Sequence, residues 1–298
     1  MLSRREILLT PLAMGAAQIA SGAPGKMTLS IHQNTSVRAG YRGSLEGWAR
    51  AGIKYVELTP QSLDEFLKTD TVPAAKRVLT DLGLTAVSCA CGQGIWEPNP
   101  NRATALDTMK KRCELLATLG IPRTYATTTT TQKFTADDYK AAVQNMREAG
   151  DIAKQFNMTV MAEFVRTSTF IATLTTLLTL TREAAHPNMH PMLDCYHFWS
   201  GNNKLEDLDL LKPGEIAHVH FQDVAGMPRE LLDNATRVIP GDGVTPLVKI
   251  LRKLAEKGYA GQLSVELFGP KFQQADPYEL ATEIRRKAEA VMRQARVL

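Results

Sequence analysis

A chain of 298 residues that is 44% hydrophobic and 22% charged has enough apolar material for a large core and lacks the composition of a disordered polypeptide. Its 35 Lys and Arg against 31 Asp and Glu leave a net charge of +4, spread along the chain without the dense basic run of a phosphate-backbone surface, so no nucleic-acid partner is expected. The cysteines, Cys89, Cys91, Cys113 and Cys195, lack CxxC spacing and lie in apolar or helical stretches, which predicts reduced, structural thiols.

In chain order, the first segment is Ser3-Arg4-Arg5-Glu6-Ile7-Leu8-Leu9, followed by an Ala- and Gly-rich, mildly apolar stretch to about Ala23. It resembles a twin-arginine export signal, which implies a periplasmic protein exported already folded; the alternative is an N-terminal extension of a cytoplasmic protein. The stretch is too short and weakly apolar for a transmembrane helix, so stable membrane insertion is not expected. Residues 1–25 are therefore set apart from a single domain over 26–298.

From Met27 onward, short apolar runs rich in β-branched residues alternate with longer stretches of helical periodicity, the pattern of βα units around a parallel sheet. Eight runs stand out: TLSIHQ at 28–33, KYVEL at 54–58, TAVSCA at 85–90, PRTYAT at 122–127, MTVMAEF at 158–164, HPMLDC at 190–195, EIAHVHF at 215–221 and QLSVELF at 262–268. Eight βα units predict an α/β fold of the (β/α)8 TIM-barrel type. An open doubly wound sheet competes, but no GxGxxG turn follows the first run.

Active sites of such barrels form at the C-terminal ends of the strands. The fifth to eighth runs end in residues able to bind a metal: Glu163, Asp194, His220 and Glu266, each preceded by apolar strand residues. A single carboxylate there reads as a structural ion pair. Three carboxylates and a histidine on adjacent strands would converge at one point, where burying the carboxylate charge is costly unless a cation balances it. Three oxygen ligands and one imidazole predict one divalent metal, with Mn2+ the expected ion and Mg2+, Co2+ or Zn2+ also compatible.

The segments MAEF, LDCYHFW, HVHFQDV, RVIPGDGVTPL, GYAGQLSVELFGP and DPYEL resemble the metal-site strands and loops of the xylose-isomerase-like sugar isomerase and epimerase superfamily, most closely its inosose isomerase branch. The resemblance spans the chain after Met27 and is sharpest from Thr159 to Pro277. It implies Glu163, Asp194, His220 and Glu266 as metal ligands, and His197 of the DxxH motif as a substrate ligand. It implies an isomerase or epimerase of a sugar, keto-sugar or inosose, a small-molecule carbohydrate or cyclitol partner, and an organisation compatible with a homodimer. In the same pattern His32 and Glu57 point toward the barrel mouth as further substrate contacts, or are hydrogen-bonded barrel-end groups.

Moving a carbonyl along a polyol requires taking a proton from the adjacent carbon and returning it to a neighbouring atom through a metal-stabilised enediolate, so Glu163 and Glu266 are the expected catalytic acid/base pair. Arg229, after the seventh run, is a candidate for a substrate hydroxyl or carboxylate, or a solvated loop charge. His218 reads as a core histidine, while Trp96 and Trp199 read as sugar-ring walls or as packing. Two departures narrow the function. Thr169 stands where ketose 3-epimerases carry a second Glu, and the zinc cluster of endonuclease IV needs ligands that are missing here, since the second and third runs offer only Glu57 and no histidine and no Asp-x-His follows the seventh. A metal-dependent lyase or dehydratase acting on a keto-inositol or 3-keto sugar, and a non-catalytic carbohydrate-binding barrel, remain as alternatives.

Overall fold

The structure, a computed structural model, describes residues 26–298; the export-signal reading of residues 1–25 lies outside the described residues. Eight parallel strands close into a ring: β1 (Thr28–His32), β2 (Tyr55–Leu58), β3 (Thr85–Gln93), β4 (Arg123–Thr127), β5 (Thr159–Glu163), β6 (Met189–Asp194), β7 (Val219–His220) and β10 (Gln262–Val265), with β1 paired to both β2 and β10. A separate two-stranded antiparallel ribbon, β8 (Asp223–Val224) with β9 (Arg237–Val238), follows β7. The crossovers carry α1 (Gly40–Arg50), α2 (Pro60–Leu67), α3 (Val72–Asp81), α4 (Arg102–Leu119), α5 (Ala136–Gln155), α6 (Leu174–Ala184), α7 (Cys195–Ser200), α8 (Leu247–Glu256), α9 (Pro270–Gln273) and α10 (Pro277–Ala295). Among the described residues, no helix is long and apolar enough to cross a membrane.

Local chemistry explains where these helices begin. At α5 the Thr135 hydroxyl accepts from the backbone of Asp138, whose carboxylate accepts from the Thr135 backbone in return, satisfying two donors that a helix start leaves free. At α10 Asp276 caps the backbone N–H groups of Tyr278 and Glu279, and Pro277 supplies a preset first turn. The main core lies between strands and helices, built by residues such as Ile31, Val56, Val160, Leu193 and Leu263 packed against Leu45, Leu116, Leu177 and Ile250. Tyr125, Met161 and Met192, on three adjacent strands, form a separate small cluster inside the ring. Side chains alternate along a strand, so Glu163 and Asp194, two residues beyond Met161 and Met192, share that inward face at the C-terminal end.

Three strands differ from expectation: β10 stops at Val265, so Glu266 lies just beyond it, and the other two are β3 and β7. β3 continues to Gln93 because a register shift between Ala90 and Gly92, with Gly92 at φ 135°, lets the backbone bend and stay paired with β4. The run expected at 215–221 shrinks to Val219–His220. Its first residues are taken by a turn in which Gly214 adopts φ 72° and the Glu215 N–H bonds to the Lys212 carbonyl. All four cysteines are buried and free, as expected.

Candidate metal and substrate site

The four strand-end residues meet. His220 Nδ1 lies 3.0 Å from Glu163 Oε1, 3.4 Å from Glu266 Oε2 and 3.5 Å from Asp194 Oδ2, and all four side chains are buried. They lie at the C-terminal mouth of the barrel, where Glu163 and Glu266 line a cavity of about 310 Å3 together with Asn34, Tyr125, His197 and Arg237. Glu163, Asp194 and His220 place ligand atoms close enough to share one ion, as do His32, His220 and Glu266, and Glu57, His218 and His220.

The DxxH spacing has a local cause. Asp194 is the N-cap of α7, and its Oδ1 accepts the His197 backbone N–H at 2.6 Å, so one carboxylate both ends β6 and fixes the turn that presents His197. The other oxygen, Oδ2, accepts from Gln222 Nε2 at 2.8 Å and from Arg237 Nη1 at 2.9 Å. Asn34 Nδ2 donates to Glu266 Oε1 at 3.0 Å, and His32 bridges Glu266 Oε1 at 3.7 Å and the Tyr125 hydroxyl at 3.1 Å. His32 therefore supports Glu266 and Tyr125 from behind as a hydrogen-bonded barrel-end group, and, like Glu57, it does not line the cavity.

Glu57 and Arg229 stand elsewhere. Glu57 is fully buried beneath His220, with Oε2 2.8 Å from His218 Nε2 and 3.3 Å from His220 Nε2, and it does not line the cavity. Its hydrogen bond goes to His218, and toward His220 Nε2, which has no hydrogen-bond partner among the described residues, it supplies negative charge from the far side of the imidazole while Nδ1 points at the other carboxylates. His218 is accordingly a hydrogen-bonded core histidine. Arg229 is spent on the carbonyls of Gly201 and Trp199, at 2.7 and 3.3 Å, and does not reach the cavity. Trp96 is fully buried with its indole N–H on the Ala126 carbonyl, and Trp199 packs beside Tyr196 and Leu232.

Arg237, which sequence reasoning passed over, is the site's principal cation. It is 2% exposed, its Nη1 donates to Asp194 Oδ2 and to Glu266 Oε2 at 2.9 and 2.8 Å, and its Nη2 lies 3.1 Å from His197 Nε2. The guanidinium is held over the rings of Tyr196 and Phe268, 4.8 and 4.9 Å from their centroids. The β8–β9 ribbon carries it there. The RVIPGDG segment contained the signal, since an arginine in the connection between β7 and α8 lies over the same mouth.

Electrostatics follow from this crowding. Burial and the neighbouring Asp194 and Glu266 push the Glu163 carboxyl up to about 7 against the opposing pull of His220. Burial also acts to raise Asp194 and Glu266. Arg237 and His197 outweigh it at Asp194, and His220, His32 and Arg237 outweigh it at Glu266, so both are held below the ordinary carboxylate range. Burial would discharge His220, but Glu266, Glu57 and Glu163 raise it well above an ordinary imidazole. His197, dominated by burial, falls to about 4 and is neutral near pH 7.

A family model described as a xylose isomerase-like TIM barrel matches residues 45–294. An inosose isomerase of Halalkalibacterium halodurans is 27% identical over 247 residues, 79% of this chain and 85% of that protein. A 3-dehydroshikimate dehydratase of Bacillus anthracis is 30% identical over 122 residues, 39% of this chain and 43% of that one. Among solved structures, an IolI protein with a binding zinc atom superposes with a TM-score of 0.84 at 23% identity, covering 90% of this chain and 99% of its own.

Proposed function

Because the chain belongs to the xylose isomerase-like TIM-barrel family, we propose that it is a divalent-metal-dependent isomerase or epimerase of a sugar, keto-sugar or inosose. The observation that carries this reading is the convergence of Glu163, Asp194 and Glu266 on His220 Nδ1 within 3.5 Å at the floor of a polar cavity. The donor set fits a divalent ion. Four buried carboxylates, Glu57 included, face one guanidinium and a small group of imidazoles, and a dication at the three converging oxygens would relieve the excess negative charge. Glu163, Asp194, His220 and Glu266 would hold it. Mn2+ is the ion we favour from the oxygen-rich set, with Zn2+ supported by the IolI relative.

When bound, the ion supplies Lewis-acid polarisation of substrate oxygens. The chain's own groups do the rest. Glu163 and Glu266 border the cavity and are placed to take a proton from carbon and return one, with Asn34 fixing the Glu266 carboxylate by its hydrogen bond. Arg237, clamped by Tyr196 and Phe268, presents fixed positive charge where negative charge develops on substrate oxygen. His197, neutral because it is buried, accepts from Arg237 on Nε2 and borders the cavity with its ring, holding the guanidinium toward the substrate.

A dehydratase is the second reading, favoured by the B. anthracis relative. Proton removal beside a carbonyl is common to both reactions, and the dehydratase then expels a hydroxyl as water. Incubating metal-loaded protein with inososes, ketoses and 3-keto sugars in D2O, followed by NMR, separates them. Solvent deuterium in a rearranged product supports the isomerase, loss of water supports the dehydratase, and binding without exchange would contradict both.

A further inference from the structure

A second cavity, of about 370 Å3, adjoins the first at the barrel mouth, and Gln93 and Thr129 line both. It lies between the segment after β3, which contributes Glu97 and Asn99, and the segment after β4, which contributes Thr130 and Gln132. Amide and hydroxyl side chains dominate its wall, and no Lys, Arg or aromatic residue lines it among the described residues.

Glu97 makes this more than a surface hollow. It is only 6% exposed, and its Oε2 is buried without a hydrogen-bond partner among the described residues, an exception to the pairing that buried polar atoms normally have. The surrounding loop has spent its own groups on holding this shape. Asn99 Nδ2 donates to the carbonyls of Gly94 and Glu97 at 2.8 and 3.1 Å. Asn145 Nδ2 donates to the Trp96 carbonyl at 2.7 Å, while the Trp96 indole N–H is anchored on Ala126 at 3.1 Å. Across the cavity, the Thr169 hydroxyl bonds to the carbonyls of Thr130 and Gln132. The backbone on both sides is braced and the carboxyl is left over: Oε2 is sealed into the wall, and Oε1, which accepts no hydrogen bond among the described residues, is the oxygen open to the cavity. Burial raises its pKa against the opposing pull of its own backbone N–H.

We propose that this cavity is a subsite for a second hydroxylated ring joined to the reacting one, with the Glu97 carboxyl receiving its hydroxyls, so that the natural substrate is a glycoside or similar two-ring polyol. The inference rests on the isomerase reading for the identity of the first ring. An anionic extension would meet Glu97 without a compensating cation, and an apolar one would strand the amides and hydroxyls of the wall. The two cavities, at about 310 and 370 Å3, are each at the low end of the roughly 300–1,000 Å3 of ordinary ligand pockets and together reach its middle.

The test compares 3-keto-glucose with 3-keto-trehalose, the same keto ring carrying a second glucose, as ligands of the metal-loaded full chain by calorimetry, with deuterium exchange followed in parallel. Wild type should bind the two-ring ligand about tenfold more tightly, the scale of one or two well-placed hydrogen bonds to a carboxyl. Glu97→Ala should abolish that preference and leave one-ring affinity within about twofold, and Glu97→Gln, which keeps the shape of the wall, should give an intermediate preference. Equal affinity of wild type for the two ligands, or a preference that survives in both variants, overturns the subsite. Absence of deuterium exchange with either ligand strikes the isomerase reading instead, because the affinity ratio is read independently of turnover.

Discussion

Replacing Arg237 with Met removes the guanidinium that joins Asp194 Oδ2 to Glu266 Oε2 while keeping a long side chain between Tyr196 and Phe268. Both bonds are charge-assisted, at 2.9 and 2.8 Å, and the residue is 2% exposed, so solvent does not screen the carboxylates left behind. Breaking one partner out of such a buried set costs about 3–5 kcal/mol. For a chain of this size about 1 kcal/mol corresponds to roughly 2 °C, so Tm of metal-free protein should fall by about 6–10 °C. Burial pushes the Asp194 carboxyl up, but Arg237 outweighs it and holds the pKa low. That stabilisation is complete above the unfolded aspartate value of about 3.9 and is lost progressively as pH falls from there toward the much lower folded value, so wild type and variant should begin to converge only below about pH 4. A divalent ion bound to the same oxygens should recover part of the deficit, so added Mn2+ should raise Tm more in the variant than in wild type. Calorimetric melts at pH 7 and at a series of values from about pH 4 down to about pH 2, with and without Mn2+, read all three effects. A change in Tm of under about 2 °C in metal-free protein at pH 7 would refute the role given to Arg237.

Glu57→Gln should weaken metal affinity by about 10–100-fold without removing the site, as expected for removing a buried negative charge 3.3 Å behind a ligand imidazole; competition with a chromogenic chelator measures it. Glu163→Gln and Glu266→Gln should each lower kcat by at least about 10²-fold while metal stays bound, because an amide keeps an oxygen but cannot take a proton. Near-normal turnover in both would reduce the two glutamates to ligands. We also propose that the Ser3-Arg4-Arg5 segment directs export, so that changing both Arg4 and Arg5 to Lys traps the protein in the cytoplasm; identical fractionation of the two forms would dismiss the signal.

The barrel and its four converging side chains were legible because both rest on period. Strand alternation decides which face Glu163 and Asp194 share, and parallel βα units put every strand end at one mouth. What lay hidden depends on reach and depth. Glu57 occupies a strand position near the mouth, yet its carboxyl turns to His218 and His220 beneath the cavity floor, and periodicity says nothing about which neighbour a carboxylate selects. Arg229 and Arg237 both follow β7. A ribbon of two residues per strand decides that Arg237 turns inward and Arg229 binds loop carbonyls, and strands so short leave no hydropathy pattern to read. Glu97 was hidden for a similar reason, since its burial comes from loop hydrogen bonds and not from a strand or helix face.

The most direct test of the account is the metal content of wild type, Asp194→Ala and His220→Ala after chelator treatment, reconstitution with Mn2+ and gel filtration, with circular dichroism confirming that each is folded. Wild type should retain about one ion per chain, and each variant, having lost one of only four protein ligands, should retain almost none. Equal metal content in all three proteins, or none in wild type, would contradict the site on which the proposed chemistry depends.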